Sequence, residues 1–536
     1  MSPSVEPFNE NKYKILMDGL ECSEILKSDL EAGERIDAEY YQKKYLQYQK
    51  LIEKQSNNQL SQICDFMSGP FGSAYDTGTY VKTSDYRYVR GQDVKPFVLQ
   101  DDSPRYMAKE DYIRLNKYAL STNDILISVV GTLGNACIVQ KEEIPAIFSC
   151  KSTVIKAKRV DPFYLLSYLN SKYGKTLLLR KERGAIQKGL NLEDLRTLKV
   201  PLFSKEFYKI VEVCIKKAFE NIKLAKKNYA DAENELEKII HISSSNKKYN
   251  HTIKNFKESV GKYGRLDAEF YQPKYDQLFS ELENFYTKPL GGKKGIVTIK
   301  KSIEPGSSEY LDKGIPFIRV SDMNKFGISE PRVYLSKENI YNLSELYPKK
   351  DTILFSKDGS VGIAYKMEKD DNIVTSGALL HLNVINTLEV LPDYLTLVLN
   401  SSIVQMQAER DTNGAIIQHW KPSDIEKVVI PIIDMEQQEK IAIKIKESFS
   451  LRKKSNELLD WAKRAVEIAI EQNEGVALQW LKEKGIDAET EAPINVYYKN
   501  IVVGEFRADI RLLLSLGLRS IHGIEVSIRN GLIEEL

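Results

Sequence analysis

The residues with the clearest capacity for chemistry are two carboxylate pairs, Asp37 with Glu39 and Asp267 with Glu269. Paired acids can share general-acid and general-base work when a cleft buries them. Here each pair opens a helical stretch, where carboxylates suit the positive end of the helix dipole, so capping and salt bridging are the better use. Gly131-Thr-Leu-Gly134 and Gly359-Ser-Val-Gly362 are the candidates for a phosphate cradle. Each follows a strand-like run but continues into more apolar strand-like sequence, not a helix N-terminus, and reads as a tight hairpin turn. There is no G-x-x-x-x-G-K-[ST] loop, no G-x-G-x-x-G after a strand and no H-E-x-x-H. The histidines (His241, His251, His381, His419, His522) show no metal-ligand spacing. Neither the N/D-P-P-Y/F tetrapeptide of an amino-methyltransferase nor a G-x-S-x-G elbow occurs. The expectation is no catalytic residue, no metal site and no cofactor on this chain, which points to a reader or a scaffold.

The elements around these residues occur twice. Arg35-Ile-Asp-Ala-Glu-Tyr-Tyr-Gln-Lys-Lys-Tyr45 returns 230 residues later as Arg265-Leu-Asp-Ala-Glu-Phe-Tyr-Gln-Pro-Lys-Tyr275, and ten of nineteen positions are identical across 35–53 and 265–283. Gly184-Ala-Ile186 returns as Gly414-Ala-Ile416, and Leu169-Asn-Ser171 as Leu399-Asn-Ser401. So long a period marks a duplicated domain and pseudo-twofold organisation, not a solenoid. Apolar framework positions and turn glycines are shared, whereas polar side chains differ: Arg87, Gln92, Lys188 and Asn191 face Pro316, Ser321, Gln418 and Lys421 in the other copy.

Ile125–Val130 and Asp351–Ser356 read as corresponding strands. Pro162 to about Arg183 has helical apolar spacing with proline at its first turn. After each copy, apolar and small residues alternate spacings of three and four. Ile215, Ala218, Ile222, Ala225, Tyr229, Ala232, Leu236 and Ile239 form one seam; Ile445, Ser448, Arg452, Ser455, Leu459, Ala462, Val466 and Ala469 form the other. Such heptads predict two long helices, over 205–241 and 435–472, paired as a coiled coil, with Arg452 and Ser455 fixing its register. The first 34 residues read as a short strand and helix, and the tail from about 476 has no twin.

The bulk numbers bound the class. With 536 residues, 42% hydrophobic and 28% charged, the chain has ample means to bury cores. No stretch reaches eighteen apolar residues and no signal pattern opens the chain, so no membrane partner is expected. Five cysteines without C-x-x-C spacing suit reduced thiols and a cytoplasmic location. A net charge of +2 means that any nucleic-acid contact must rest on local positive charge.

The R-[IL]-D-A-E-[YF]-Y-Q-x-K-Y block, the strand ending in serine before a two-glycine turn, and the G-A-I segment ahead of a V/I-P strand and a heptad helix recur in one order, twice. In this the chain resembles the specificity (S) subunit of type I restriction-modification systems, over roughly 1–475. The resemblance implies an α/β (mixed) fold: two target recognition domains with curved mixed sheets, linked by long helices pairing as an antiparallel coiled coil. The corresponding division is an N-terminal segment with the first block (1–60), recognition domain 1 (61–203), helix 1 (204–245), linker and second block (246–285), recognition domain 2 (286–433), helix 2 (434–475) and a C-terminal extension (476–536). It implies a non-catalytic subunit that reads a bipartite, asymmetric site in double-stranded DNA. Two methyltransferase subunits would dock on the helices and R-[IL]-D-A-E blocks, and two restriction/translocase subunits would join them. S-adenosylmethionine, ATP and Mg2+ would belong to those partners, and the helix length would set the spacer between half-sites.

In the major groove each base pair shows its own donor and acceptor pattern, and Arg, Lys, Gln and Ser suit its readout and the clamping of phosphates. The candidate DNA-binding residues are Arg87, Arg90, Gln92, Arg183, Gln187 and Lys188 in the first copy. In the second they are Arg319, Ser321, Lys357, Gln418, Trp420 and Lys421. Arg90 and Arg319, at matched positions, suit phosphate or fold as well as bases, and Trp420 suits a core staple as well as a contact. The alternatives are a subunit of a type IIB-like enzyme, a coiled-coil protein scaffold, or an enzyme with its site in the tail. Ala492–Lys499 through Gly504–Asp509 faintly resembles a strand pair of the small GxxExxY proteins; a fused or frame-shifted remnant, or an accessory β-hairpin, is the plainer account of that tail.

Overall fold

The computed structural model describes residues 8–27, 30, 35–70, 72–100, 103–184, 188–241, 252–412, 414, 418–486, 520–521, 524–529 and 532–535. They fall into two compact units, one within Met1–Glu220 and Ser455–Leu536, the other within Asn221–Lys454.

In the first unit an antiparallel sheet runs in the order Cys64–Ser68, Ser152–Ala157, Ile125–Ser128, Ala136–Ile138. Period-two alternation splits its apolar side chains between two cores. Ile125, Ile127 and Ile155 pack with the helices Pro162–Asn170 and Lys172–Leu179, while Leu126 and Val154 pack with Val89 and Phe148. A second, mixed sheet sets Arg87–Val89 antiparallel to Arg105–Tyr106 and parallel to Ala146–Phe148.

The second unit repeats this. Its antiparallel sheet is Val297–Lys301, Leu379–Val384, Ile353–Ser356, Ala364–Lys366. Its mixed sheet sets Ile315–Ile318 antiparallel to Tyr334–Leu335 and parallel to Val374–Thr375. The mixed α/β fold is thus the observed one.

One local reading needs refinement. The helical pattern from Pro162 is two helices, because Ser171 is extended and its Oγ accepts from the Gly174 amide at 3.2 Å. Asn170, the last residue of the first helix, donates from Nδ2 to the Ala136 carbonyl (2.9 Å), as Asn400 does to Ala364 (2.8 Å). The repeated L-N-S triplet is therefore a clasp between helix and sheet. Among the described residues before Arg35 there is a helix, Glu10–Met17, but no strand. Beyond the second long helix the chain adds a helix, Glu474–Glu483, whose Ala477 and Leu481 join the first unit's core. The tail then holds the strands Ser520–Ile521, Ile524–Arg529 and Leu532–Glu535 in one antiparallel sheet. The 492–509 segment lies outside the described residues.

The heptad runs form the helices Lys205–Ile239 and Met435–Glu471. In each unit their segments pair antiparallel through small residues. Ser455 Oγ donates to the Ala218 carbonyl at 2.8 Å and Cys214 Sγ to that of Leu458 at 3.1 Å in the first unit. In the second, Ser448 Oγ donates to the Ala225 carbonyl at 2.7 Å, and Arg452 stacks on Phe326 with its guanidinium carbon 3.6 Å from the ring centroid. The repeated blocks adopt one geometry. Arg35 Nε donates to Asp37 Oδ1 at 2.8 Å, and Arg265 to Asp267 at the same distance. Each arginine also covers a ring, Tyr40 or Phe270, at 4.5 Å. The arginine's hydrogen bond holds Asp37 and Asp267 below the usual carboxylate range.

Two outcomes follow. Ser455→Leu, which loses a buried hydrogen bond and adds volume to a tight seam, is expected to cost about 1–3 kcal/mol of stability in urea unfolding of the full chain. His381 is buried, with Nε2 2.8 Å from Thr375 Oγ1, and burial pushes its pKa down to about 4. The unfolded chain protonates this histidine near pH 6.5, so its contribution is complete above that pH and is lost as pH falls toward 4, by about 3 kcal/mol. His381→Gln, measured by unfolding against pH, should flatten the stability loss across that window.

Candidate nucleic-acid interface

The candidate surface is built at the end of one strand in each unit. In the first unit Ser128, last residue of its strand, accepts at Oγ from the Asn135 amide (3.1 Å) and donates to the Thr132 carbonyl. Its own carbonyl takes the Gly134 amide at 2.9 Å. Ser356 does the same: Oγ accepts from the Ile363 amide at 2.8 Å and donates to the Ser360 carbonyl at 2.6 Å, and its carbonyl takes the Gly362 amide at 2.9 Å. The two-glycine segments are thus hairpin turns tied by a buried serine, not anion cradles.

The residue after each serine anchors the G-A-I loop. The Val129 carbonyl accepts the Leu190 amide at 3.0 Å, and the Lys357 carbonyl accepts the Trp420 amide at 2.8 Å. In the first unit Arg183 and Gly189 exchange backbone hydrogen bonds of 3.0 and 2.8 Å, closing the loop neck. In the second, the Gly359 amide donates to the Gln418 carbonyl at 2.9 Å. Gly184 and Gly414 lie at φ of 105° and 118°, a region that side chains strongly disfavour. Those glycines therefore shape the loop itself, beyond any close approach of DNA.

The nominated side chains separate into framework and free surface. Arg87 is buried in its strand and donates to the Gln100 carbonyl. Arg90 clamps the buried Asp93, with Nη2 to Oδ1 at 2.6 Å, and Arg319 clamps the buried Asp322 through Nε at 3.2 Å. Arg87 thus ties its strand to the segment at Gln100, and Arg90 and Arg319 each brace the turn that follows them. Trp420 is 1% exposed and packs on Phe355, ring centroids 5.8 Å apart. It staples the loop and has no surface to offer DNA. Gln92, Arg183, Lys188, Ser321, Gln418 and Lys421 are exposed. Arg183 pairs with Asp194 at 3.2 Å and Lys188 with Glu182. Gln187, with Ala185, Ile186, Ala415 and Ile416, lies outside the described residues.

In the second unit the backbone gathers Lys357, Gln418, Trp420 and Lys421 at one place, and it adds two residues that sequence reasoning missed. Asp358 takes the Lys357 ammonium and contacts His419 Nδ1 at 2.9 Å, giving a lysine–aspartate–histidine chain at the loop mouth. Asp358 and His419 stand 61 residues apart, a separation no motif announces. The first copy has Val130 and Gly189 at the matching bridge. Among the described residues no group of three or more His, Cys, Asp and Glu could hold a metal ion, and no helix is long and apolar enough to cross a membrane.

With this geometry in hand, comparison with known proteins bears out the resemblance to specificity subunits. Residues 293–459 match the family model described as the type I restriction modification DNA specificity domain. A stretch of 103 residues, 19% of this chain, is 30% identical to the type I restriction enzyme EcoBI specificity subunit of Escherichia coli and spans 22% of that protein's length. Among solved structures, the S subunit of a type I restriction-modification system from M. genitalium overlaps 79% of this chain and 95% of its own, at 14% identity and a TM-score of 0.36. The HsdS subunit from Thermoanaerobacter tengcongensis overlaps 78% and 97%, at 16% identity and a TM-score of 0.25.

The division into staple and surface has a direct check. Trp420→Ala should cost about 3–5 kcal/mol of stability in urea unfolding, as large aromatic truncations in cores do. Lys421→Ala, on the exposed side of the same loop, should stay within about 0.5 kcal/mol.

Proposed function

We propose that this chain, which carries a type I restriction-modification DNA specificity domain at residues 293–459, is the non-catalytic subunit that chooses the DNA site for such a system. The observation that carries the reading is the double use of one backbone. The serine-tied turn and the loop anchored on Val129 or Lys357 recur with closely similar hydrogen bonds, while the exposed side chains they present differ. A scaffold held constant under a varied polar surface suits two half-sites of different sequence, hence a bipartite and asymmetric target. Gln92, Arg183, Gln187 and Lys188 are the readers for the first half-site; Ser321, Gln418 and Lys421, with Lys357 and its neighbours, are those for the second.

The repeated Arg35–Tyr45 and Arg265–Tyr275 blocks suit docking of methyltransferase subunits, one on each. Their arginine–aspartate clamps hold Ile36 and Leu266 at 83% and 85% exposure, and an apolar side chain held out at the same place twice fits one kind of partner bound twice. Restriction/translocase subunits would complete the assembly, and S-adenosylmethionine, ATP and Mg2+ would act on these partners.

The test is the methylation pattern of genomic DNA from cells carrying this chain with its methyltransferase subunit, against cells lacking the chain. A bipartite, asymmetric methylated motif that depends on the chain is expected. Replacing Gln187 and Lys188 by alanine should change the first half of that motif and leave the second intact. No chain-dependent motif, with the methyltransferase shown to be active, would favour a protein scaffold instead.

A further inference from the structure

Beside the loops named above, each unit carries a lysine at one cross-strand position. In the first unit the register Ser128 opposite Ser152 extends one step to Val129 opposite Lys151, and the Val129 amide donates to the Lys151 carbonyl at 3.0 Å. In the second, Ser356 opposite Leu379 extends to Lys357 opposite Ala378, and the Lys357 amide donates to the Ala378 carbonyl at 2.9 Å. The two pairs are equivalent by that hydrogen bond and lie one step past the paired strands, but the lysine follows a strand in one unit and sits in the turn before a strand in the other. Residues facing each other across such a pair stand about 5 Å apart, a distance that a lysine stem spans. Both units therefore launch an ammonium from nearly one place, beside the carbonyl that anchors the G-A-I loop.

The surroundings of Lys151 favour a ligand over a structural duty. Lys151 is exposed, and no described acidic side chain forms an ion pair with it. Its Cβ nonetheless packs closely on a neighbouring turn. A Cβ built on Gly91 would lie 2.8 Å from Lys151 Cβ, so only a glycine lets the Gly91–Asp93 turn, which carries Gln92, lie against this lysine. Where the second unit has alanine at the strand position, the residue after the matching arginine is Val320. Lys357, by contrast, is buried, at 9% exposure, and held against Asp358. The first unit thus offers an exposed cation without an ion pair among the described residues, its Cβ in contact with the turn of one candidate reader and next to the anchor of the loop carrying the others.

Resting on the reading that this chain selects DNA, we infer that Lys151 makes a direct contact of the first half-site, donating to a phosphate oxygen or to the N7/O6 edge of a guanine, and that Lys357 is its transposed counterpart in the second. The experiment is selection of duplexes from a pool with a randomised interior by the purified full chain, followed by salt titration on the selected duplex. Lys151→Ala should weaken that duplex by about ten-fold at ~0.15 M salt, with Lys151→Arg retaining most of the affinity. A fall of about 0.9 in the log–log salt slope identifies a phosphate; loss of a guanine preference at one position of the first half-site identifies a base edge. The melting temperature and the second half-site should not change. In the second unit, Lys357→Ala should lose binding that Lys357→Ala with Ala378→Lys recovers.

An unchanged affinity, slope and first half-site in Lys151→Ala would overturn the contact, as would equal weakening of both half-sites. A double variant no better than Lys357→Ala would overturn the transposition. A wild-type chain that selects no sequence would remove the DNA-selecting reading itself, a result distinct from the others because no variant is needed to see it.

Discussion

Each unit depends on two helices lying close enough for a serine hydroxyl on one to reach a backbone carbonyl on the other. A buried hydroxyl without an acceptor costs stability, and a helix carbonyl has a spare lone pair. Ser455 on Ala218 and Ser448 on Ala225 use this, and the alanine at each acceptor position leaves room for the approach. In the first unit the consequence is topological. Its core takes Ile215 and Ala218 from one long helix and Leu459, Ala462, Val466 and Ala469 from the other, so segments more than two hundred residues apart share one hydrophobic interior. The four-stranded sheet of the first copy therefore folds onto residues that follow the second copy, and neither half of the sequence contains that unit alone.

On this base the two units hold their surfaces by the same few bonds. A serine closes the turn, the next carbonyl anchors the G-A-I loop, and an arginine–aspartate clamp fixes the turn at 90–93 or 319–322. None of these bonds uses the side chains that differ. Substitution at Gln92, Lys188, Gln418 or Lys421 therefore leaves the frame intact, and that separation lets a surface change what it binds without changing its fold. The polar chain through Lys357, Asp358 and His419, where the first copy has valine, valine and glycine, shows how far the surfaces have diverged on one frame.

Much of the frame was legible in the sequence because periodicity and duplication report backbone and core. The heptad seams announced both long helices, and the paired motifs announced equivalent sheets. The break at Ser171 was hidden because Asn170 and Ser171 leave a pattern that apolar spacing alone continues. The helix Glu474–Glu483 was missed because it has no twin to support it. Side-chain roles were less legible still. Arginine at 87, 90 and 319 and tryptophan at 420 fit a DNA surface by type, yet Arg87 and Trp420 are buried, and Arg90 and Arg319 are engaged by aspartates of their own turns. Composition cannot separate an arginine that clamps aspartate from one that meets a base, since both need the same donors.

The same limit explains why the lysines at 151 and 357 escape a sequence comparison. Aligned by spacing, Lys357 falls opposite Val129 and Lys151 opposite an uncharged residue, so each looks like an isolated surface charge. The hydrogen bonds one step beyond the strand register set Val129–Lys151 against Lys357–Ala378 and place one lysine in each pair. A function that depends on where an ammonium stands, and not on which strand supplies it, leaves no column in an alignment. In a duplicated fold the quantity that two copies can share at such a site is a position in space, and the sheet is the frame in which that position is defined.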